Sequence, residues 1–328
     1  MLTPKQTTYS TVSTDQLIQV NIPLADKNWF GTGGNARYYC QPETAQEFQD
    51  ALAYAHENKY TLFILGQGAN ILISDEGFDG LVVRPSLNSI DIISADDEHK
   101  FVKAGAGVVM SDLIEACLKN NLIGLEEFSG IPGTVGGSVY INLHYFEFLL
   151  AQFLVSAEII NKNTGSIHTV DASWFNFGYN DSTLQKKDHF LVTATFKLKC
   201  VSNYETAFAQ GRRAEIIRHR EKRYPQKNTC GSFFRNFFTH EVEHVLNEKK
   251  LIFVAYYLDK IGVKGTLRIG DATVSHQHAN MIVNAGRATS TEIITLARTM
   301  QELVDKKFGI IPQPECQLIG FKEYPLMR

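Results

Sequence analysis

Two clusters of glycine constrain this chain more than any other feature. Gly66, Gln67, Gly68, Ala69 and Asn70 directly follow the strand-like run Thr61 to Leu65. A second cluster, Ser129, Gly130, Ile131, Pro132, Gly133, Thr134, Gly136, Gly137 and Ser138, follows a predicted helix over Met110 to Asn120. Glycine reaches positive φ and lets backbone come close to a ligand, so successive N–H groups can point at phosphate oxygens. Two such loops in one chain can clamp the two phosphates of a dinucleotide. Neither matches G-x-G-x-x-G opening a βαβ helix, nor G-x-x-x-x-G-K-[ST], so the two commonest phosphate motifs are absent. Each loop alone also reads as an ordinary tight turn after a strand.

The surrounding pattern mixes strands and helices without regular alternation. Phe48, Leu52 and Ala55 recur at helical spacing over Glu43 to Asn58, with Thr44 as N-cap. Short apolar strands are expected at Asn70 to Ile73, Gly80 to Val83 and Phe101 to Gly105. A strand-rich block runs from Leu154 to Leu198, with a turn at Asn163 to Gly165. Ser290 to Phe308 carries an apolar stripe of Ile293, Leu296, Met300 and Leu303. This favours an α+β fold over a doubly wound one. A length of 328 residues gives a prior of about two or three domains.

Charge and cysteine usage narrow the function classes. With 32 Lys and Arg against 35 Asp and Glu, the net charge is −3, which lacks the basic excess expected of a duplex-nucleic-acid binder. The basic residues of Glu205 to Arg223, among them Arg212, Arg218 and Arg220, read as a solvated helix face, with an anion site as the other reading. The 5 cysteines form no C-x-x-C pair, which suits a reducing compartment. Met1 to Val20 is polar with no secretory pattern, and Tyr145 to Ile160 is broken by charges, so neither a leader nor a membrane span is expected. The expected location is the cytoplasm.

Three further constellations carry candidate chemistry. His240, Glu241 and His244 match H-E-x-x-H, the pattern that sets two histidines on one helix face to bind zinc; a solvated helix matching by chance is the other reading. Ser232 follows glycine in Cys230 to Arg235 (CGSFFR) and could donate a proton, though no G-x-S-x-G elbow surrounds it. Glu315 follows Pro312 and Pro314 on a rigid stretch expected to be exposed, a platform for an acid.

Taken together, these segments resemble the UDP-N-acetylenolpyruvoylglucosamine reductase family, flavoenzymes of peptidoglycan and cell-wall synthesis. Trp29 to Arg37 (WFGTGGNAR) resembles the family's opening segment, Leu65 to Gly80 (LGQGANILISDEGFDG) its first flavin loop, and Gly130 to Asn142 (GIPGTVGGSVYIN) its second. Cys230 to Arg235 resembles the serine motif, Gly262 to Gly270 and His278 to Asn284 the stretch after it, and Pro314-Glu315 the C-terminal P-E. The matches are collinear over nearly the whole chain.

The resemblance implies an FAD-binding fold of the vanillyl-alcohol-oxidase type: flavin lobes at 1–90 and 91–205, and a substrate-binding domain at 206–328. It implies FAD held by the two glycine loops, with NADPH as co-substrate and a UDP-sugar nucleotide as the small molecule reduced to UDP-N-acetylmuramate. It further implies a monomer with no nucleic-acid or membrane partner and no metal. Ser232 carries over as proton donor and Glu315 as the group stabilising the enol, while Arg235 falls where a family lysine meets substrate phosphate. The sequence departs from the family at Tyr179-Asn180-Asp181-Ser182, where the pattern is Y-R-x-S. Asn180 cannot pair with a carboxylate as a guanidinium does; such a contact is worth about 2.7–4 kcal/mol. Arg268 or Lys264 could replace that cation. The glycines of the family's N-x-G-A/C-Y-G-G stretch are gone from Asn142 to Phe148, and Asn236 to Lys249 reads as an insertion. A relative that keeps FAD and acts on a different small molecule is therefore the alternative reading.

Overall fold

Short strands, paired mostly in parallel, build the first lobe. The computed structural model describes residues 17–94, 96–246 and 248–328, so most of the polar N-terminal stretch lies outside it. Strand β1 (Gln19–Pro23) runs antiparallel to β2 (Asn35–Cys40). Helix α1 (Ala45–Glu57) follows, capped as expected by Thr44, whose hydroxyl accepts from the Glu47 N–H at 3.1 Å. Its Phe48, Leu52 and Ala55 are buried. Strands β3 (Leu62–Ile64), β4 (Ile71–Ile73) and β5 (Phe78–Val83) complete the lobe, and β5 pairs in parallel with both β2 and β3.

The second lobe is antiparallel. It contains β6 (Ile90–Ser94), β7 (His99–Gly105), α2 (Met110–Lys119), β8 (Leu122–Ile123), α3 (Val135–Tyr140) and the hairpin β9 (His144–Tyr145) with β10 (Phe148–Leu149). Strands β11 (Leu154–Asn161), β12 (Ile167–Asp171) and β13 (His189–Cys200) follow. The sheet order is β12-β11-β13-β7-β6, with β8 paired at the end of β13. The continuous apolar interior of β13 (Leu191, Ala194, Phe196, Leu198) packs on α2 and Phe128 to form this lobe's core.

Helix α4 (Asn203–Arg223) opens on a Ser202–Glu205 capping box. Its Ala209 belongs to the core of the second lobe, so the helix spans the expected boundary at 205. The hairpin β14 (Val245–Leu246) with β15 (Lys249–Lys250), helix α5 (Val254–Lys260), and strands β16 (Arg268–Ile269), β17 (Ala272–Val274) and β18 (Ile282–Asn284) follow. Helix α6 (Ser290–Phe308) has the expected bounds; it is capped by Thr289 with Glu292 and ends at Gly309 with φ +68°. Ile293, Leu296, Met300 and Val304 are fully buried, each worth roughly 1.5–3 kcal/mol. Leu303, expected in that stripe, is 37% exposed, and Val304 one position on takes its place.

The last strand, β19 (Gln317–Ile319), returns to pair in parallel with β4. That pairing ties the C-terminus to the loop following β3. Asp75 strengthens the tie by accepting from the backbone N–H groups of Ser290 (2.7 Å) and Thr291 (2.9 Å) at the start of α6. The α+β expectation matches this architecture. Among the described residues no helix is long and apolar enough to cross a membrane.

Candidate active site

The two glycine loops touch. A Cβ placed on Gly66 would lie 2.9 Å from Thr134 Oγ1, so only glycine lets the loop after β3 approach the loop before α3. Gly68 has φ +68°, and its carbonyl accepts from Trp29 N–H at 3.0 Å; a Cβ there would fall 2.6 Å from Asn28 Cα. On the other side Gly130 and Gly133 have φ +74° and +154°. Thr134 caps α3 by accepting from Gly137 N–H (3.3 Å), and Gly136 N–H bonds the Ala106 carbonyl (2.9 Å).

Both loops line one cavity of about 480 Å³. Gly66, Gln67, Gly68, Ala69 and Asn70 form one side, with Gly130, Ile131, Pro132, Gly133, Thr134, Gly136, Gly137 and Ser138 opposite. Asn70 Oδ1 is buried with no protein partner, an acceptor waiting for a donor from a bound molecule. Ser129 is a correction: it is buried outside the cavity, and its hydroxyl donates to the Glu126 carbonyl at 2.5 Å. The residues present thus fit a dinucleotide cofactor gripped at its phosphates.

Three chain segments bring the candidate acid groups to the same cavity. Phe233 N–H bonds Asn280 O (2.8 Å), Glu315 N–H bonds Phe233 O (2.9 Å) and Arg235 N–H bonds Gln313 O (2.9 Å). Asn280 locks this arrangement from its side chain, accepting from Phe234 N–H (3.0 Å) and donating to Phe234 O (2.7 Å). Residues 231–235 therefore lie between residues 280–281 and 313–316, and Ser232 and Glu315 both line the cavity. The stretch expected to leave Glu315 exposed instead leaves it half-buried, with its carboxyl largely withdrawn from water. Burial pushes its pKa up to about 7, and the neighbouring Asn180 amide pulls weakly the other way.

Asn180 sits at φ +53°, a conformation Asn tolerates better than most residues. Its carbonyl accepts from Gln185 Nε2 at 2.7 Å, and its buried side-chain amide faces the Glu315 carboxyl without closing a well-formed hydrogen bond on it. Tyr179 stands beside it; burial first, and then the Glu315 charge, raise the phenol's pKa. The His144 ring lies 5.2 Å from Tyr179, and burial pushes its pKa down, favouring neutral imidazole.

Two expected substrate contacts are placed elsewhere. Arg235 is spent on Glu241, which it meets through both Nη atoms at 2.7 and 2.6 Å, and it stacks on Phe238 at 4.3 Å. Arg268 lies at the surface, bound to Asp271 (2.6 Å) and the Gly270 carbonyl. Neither lines the cavity, and Lys264 does not either. The H-E-x-x-H stretch is not a helix: His240 and Glu241 occupy a turn, and His244 precedes β14. Without helical spacing the two imidazoles do not share a face, and among the described residues no group of three or more His, Cys, Asp or Glu side chains could hold a metal.

Sequence reasoning missed Trp29, His144, Tyr145 and His278 and read Arg220 as part of a solvated helix face with an anion site as the alternative; all of them line the cavity. Trp29 and His278 lie in segments singled out for resemblance, so their position was available. Arg220 reaches the Gly130 carbonyl (3.0 Å) across 90 positions of sequence, which no local pattern reveals.

Comparison with known proteins agrees with this geometry. The FAD binding domain family model matches residues 36–171, and the model for the C-terminal domain of UDP-N-acetylenolpyruvoylglucosamine reductase matches 223–319. The UDP-N-acetylenolpyruvoylglucosamine reductase of Synechococcus sp. is 32% identical over 314 residues, covering 94% of each chain. That of Lactobacillus delbrueckii subsp. bulgaricus is 33% identical over 305 residues, covering 92% of this chain and 95% of its own. The crystal structure of the Thermus caldophilus enzyme superposes with a TM-score of 0.74 at 27% identity, covering 92% of this chain and 99% of that one. The lobes thus form an FAD-binding fold shared with the Thermus caldophilus enzyme, and the chain belongs to the UDP-N-acetylenolpyruvoylglucosamine reductase family of flavin-dependent oxidoreductases.

Proposed function

We propose that this chain reduces the enolpyruvyl ether of UDP-N-acetylglucosamine to UDP-N-acetylmuramate, with NADPH as electron donor, in cytoplasmic peptidoglycan synthesis. The observation that carries the reading is the shared cavity: the touching glycine loops and the Ser232–Glu315 pair open onto the same space. Bound there, FAD would supply the hydride for the enolpyruvyl double bond, and the glycine loops would hold its diphosphate.

The chain's own residues account for the rest of the chemistry. As hydride arrives, negative charge develops on the substrate carboxylate as an enediolate. An ionised carboxylate would oppose that charge. Glu315, pushed up to about 7, keeps its proton through a large fraction of the population at neutral pH and donates a hydrogen bond instead. Asn180 Nδ2, buried beside Glu315, is a second donor at the same place. Ser232 delivers a proton to the carbon that becomes stereogenic. The surrounding apolar wall and the half-buried position of these groups limit the access of bulk water that would compete for the proton.

One observation favours a second reading. At position 180 a neutral amide stands where the resemblance implies a guanidinium, and His144 and Tyr145 occupy the stretch where it implies small residues. A narrower, cation-poor end suits a flavoenzyme for a different small molecule. Steady-state NADPH oxidation separates the two. Under the first reading it depends on the enolpyruvyl nucleotide and yields UDP-N-acetylmuramate; NADPH oxidation indifferent to that nucleotide supports the second.

A further inference from the structure

Helix α4 carries basic residues that mostly behave as surface charges. Arg212 pairs with Glu127 (3.0 Å) and Arg218 with Glu215 (2.6 Å). Arg220 behaves differently. Its side chain leaves the helix and crosses to the second glycine loop, where Nε donates to the Gly130 carbonyl at 3.0 Å. Its Cδ stands 3.1 Å from the position of a Cβ on Gly130, so glycine is what admits it. Tyr224 and Tyr145 flank the guanidinium, with centroids 5.2 and 5.8 Å away. No carboxylate pairs with Arg220 among the described residues, and its two Nη groups have no protein partner there.

The ligand that the glycine loops suit is a dianion. Backbone amides supply dipoles, and a dianion drawn from water into a partly enclosed site calls for charge as well. The other cations lining the cavity, Lys162 and Lys187, belong to the β11–β13 end; the Lys162 backbone N–H bonds Asp188 O there, 2.9 Å away. Among the described residues, Arg220 alone joins a permanent charge to one of the phosphate loops by a hydrogen bond.

We propose that Arg220 is the counter-charge of the cofactor diphosphate: its Nε pins the Gly130 loop while its free Nη pair closes bidentately on phosphate oxygens. This rests on the FAD reading above and adds to it a binding residue outside the glycine motifs. It also gives α4 a function: the helix docks on the second lobe through Ala209 and delivers its last turn to the cofactor. Arginine suits the task because its planar fork matches a phosphate and its charge persists on partial burial.

The test is titration of the full-length, deflavinated protein with FAD and, separately, with riboflavin, which has no phosphate, at low and high salt. Wild type, Arg220→Gln and Arg220→Lys are compared by flavin fluorescence. Arg220→Gln is expected to weaken FAD roughly tenfold to a hundredfold, to leave riboflavin binding unchanged, and to flatten the salt dependence of FAD affinity. Arg220→Lys is expected to restore the salt dependence and part of the affinity, since it keeps charge without the fork. Equal weakening of FAD and riboflavin with parallel salt curves would overturn the proposal and reduce Arg220 to a brace for the loop. Unchanged FAD affinity with a raised substrate KM would overturn it by moving the residue to a substrate anion. A wild-type protein that takes up no FAD would overturn the flavin reading itself, and the proposal with it.

Discussion

Replacing Glu315 by Gln separates the chemistry of this acid from its effect on stability. Burial lifts the carboxyl from its usual 4.5 to about 7, which corresponds to roughly 3 kcal/mol against the ionised form in the folded protein. Between those two values the folded chain keeps a proton that the unfolded chain has released. The stability contributed by the neutral acid is therefore complete below about pH 4.5 and lost as the pH rises through about 7. Gln is neutral at every pH and nearly the same shape, so it carries no such loss. In urea unfolding at a series of pH values from about 4.5 to 8.5, Glu315→Gln should gain on wild type by roughly 2–3 kcal/mol from the acid end to the alkaline end. Its turnover with the enolpyruvyl nucleotide should fall about 10²–10³-fold, because the amide has no O–H proton to share with the forming enolate. Wild-type turnover should likewise decline as the pH passes about 7 and the acid ionises. Parallel stability curves for the two proteins would refute the reasoning, since they require a carboxyl that is not desolvated.

Three more substitutions test separate parts of the site. Ser232→Ala should abolish product formation while sparing reduction of the flavin by NADPH in stopped-flow; equal loss of both half-reactions contradicts a proton-donor role. Asn180→Arg should raise turnover by about 10²–10³ if the substrate end carries a carboxylate, despite roughly 1 kcal/mol of strain at φ +53°. No change, or a loss, favours a substrate without that group. Gly66→Ala should press the Thr134 hydroxyl away from Gly137, removing a helix cap worth about 1 kcal/mol and weakening FAD several-fold by equilibrium titration. Undiminished FAD affinity would mean that the contact between the loops does not matter for binding.

The sequence was most legible where local chemistry decides. Glycines marked both loops, Thr44 marked the start of α1, and apolar periodicity placed α6. It was least legible where distant residues decide. The pairing of β19 with β4 and the reach of Arg220 to Gly130 join segments far apart in the chain, with no local signature. Arg235 carried the right residue type for a phosphate, but the hairpin-bearing stretch after it supplies Glu241 at 2.6 Å and takes up the guanidinium. Arg268 was likewise claimed by Asp271 only three positions away. For Glu315, the preceding prolines suggested an exposed stretch, while its partial burial follows from the strand-like alignment with Phe233. The H-E-x-x-H match failed because a turn and a hairpin, rather than a helix, occupy that stretch.

The most direct check is a stopped-flow experiment in which the enzyme, reduced anaerobically by NADPH, is mixed with the enolpyruvyl sugar nucleotide or with buffer. If the cavity joins a gripped flavin to a proton-donating Ser232–Glu315 pair, visible flavin absorption returns at a rate that rises and saturates with nucleotide concentration, and buffer alone leaves it bleached. Recovery at one rate with or without the nucleotide, or a protein with no flavin to bleach, would contradict the account.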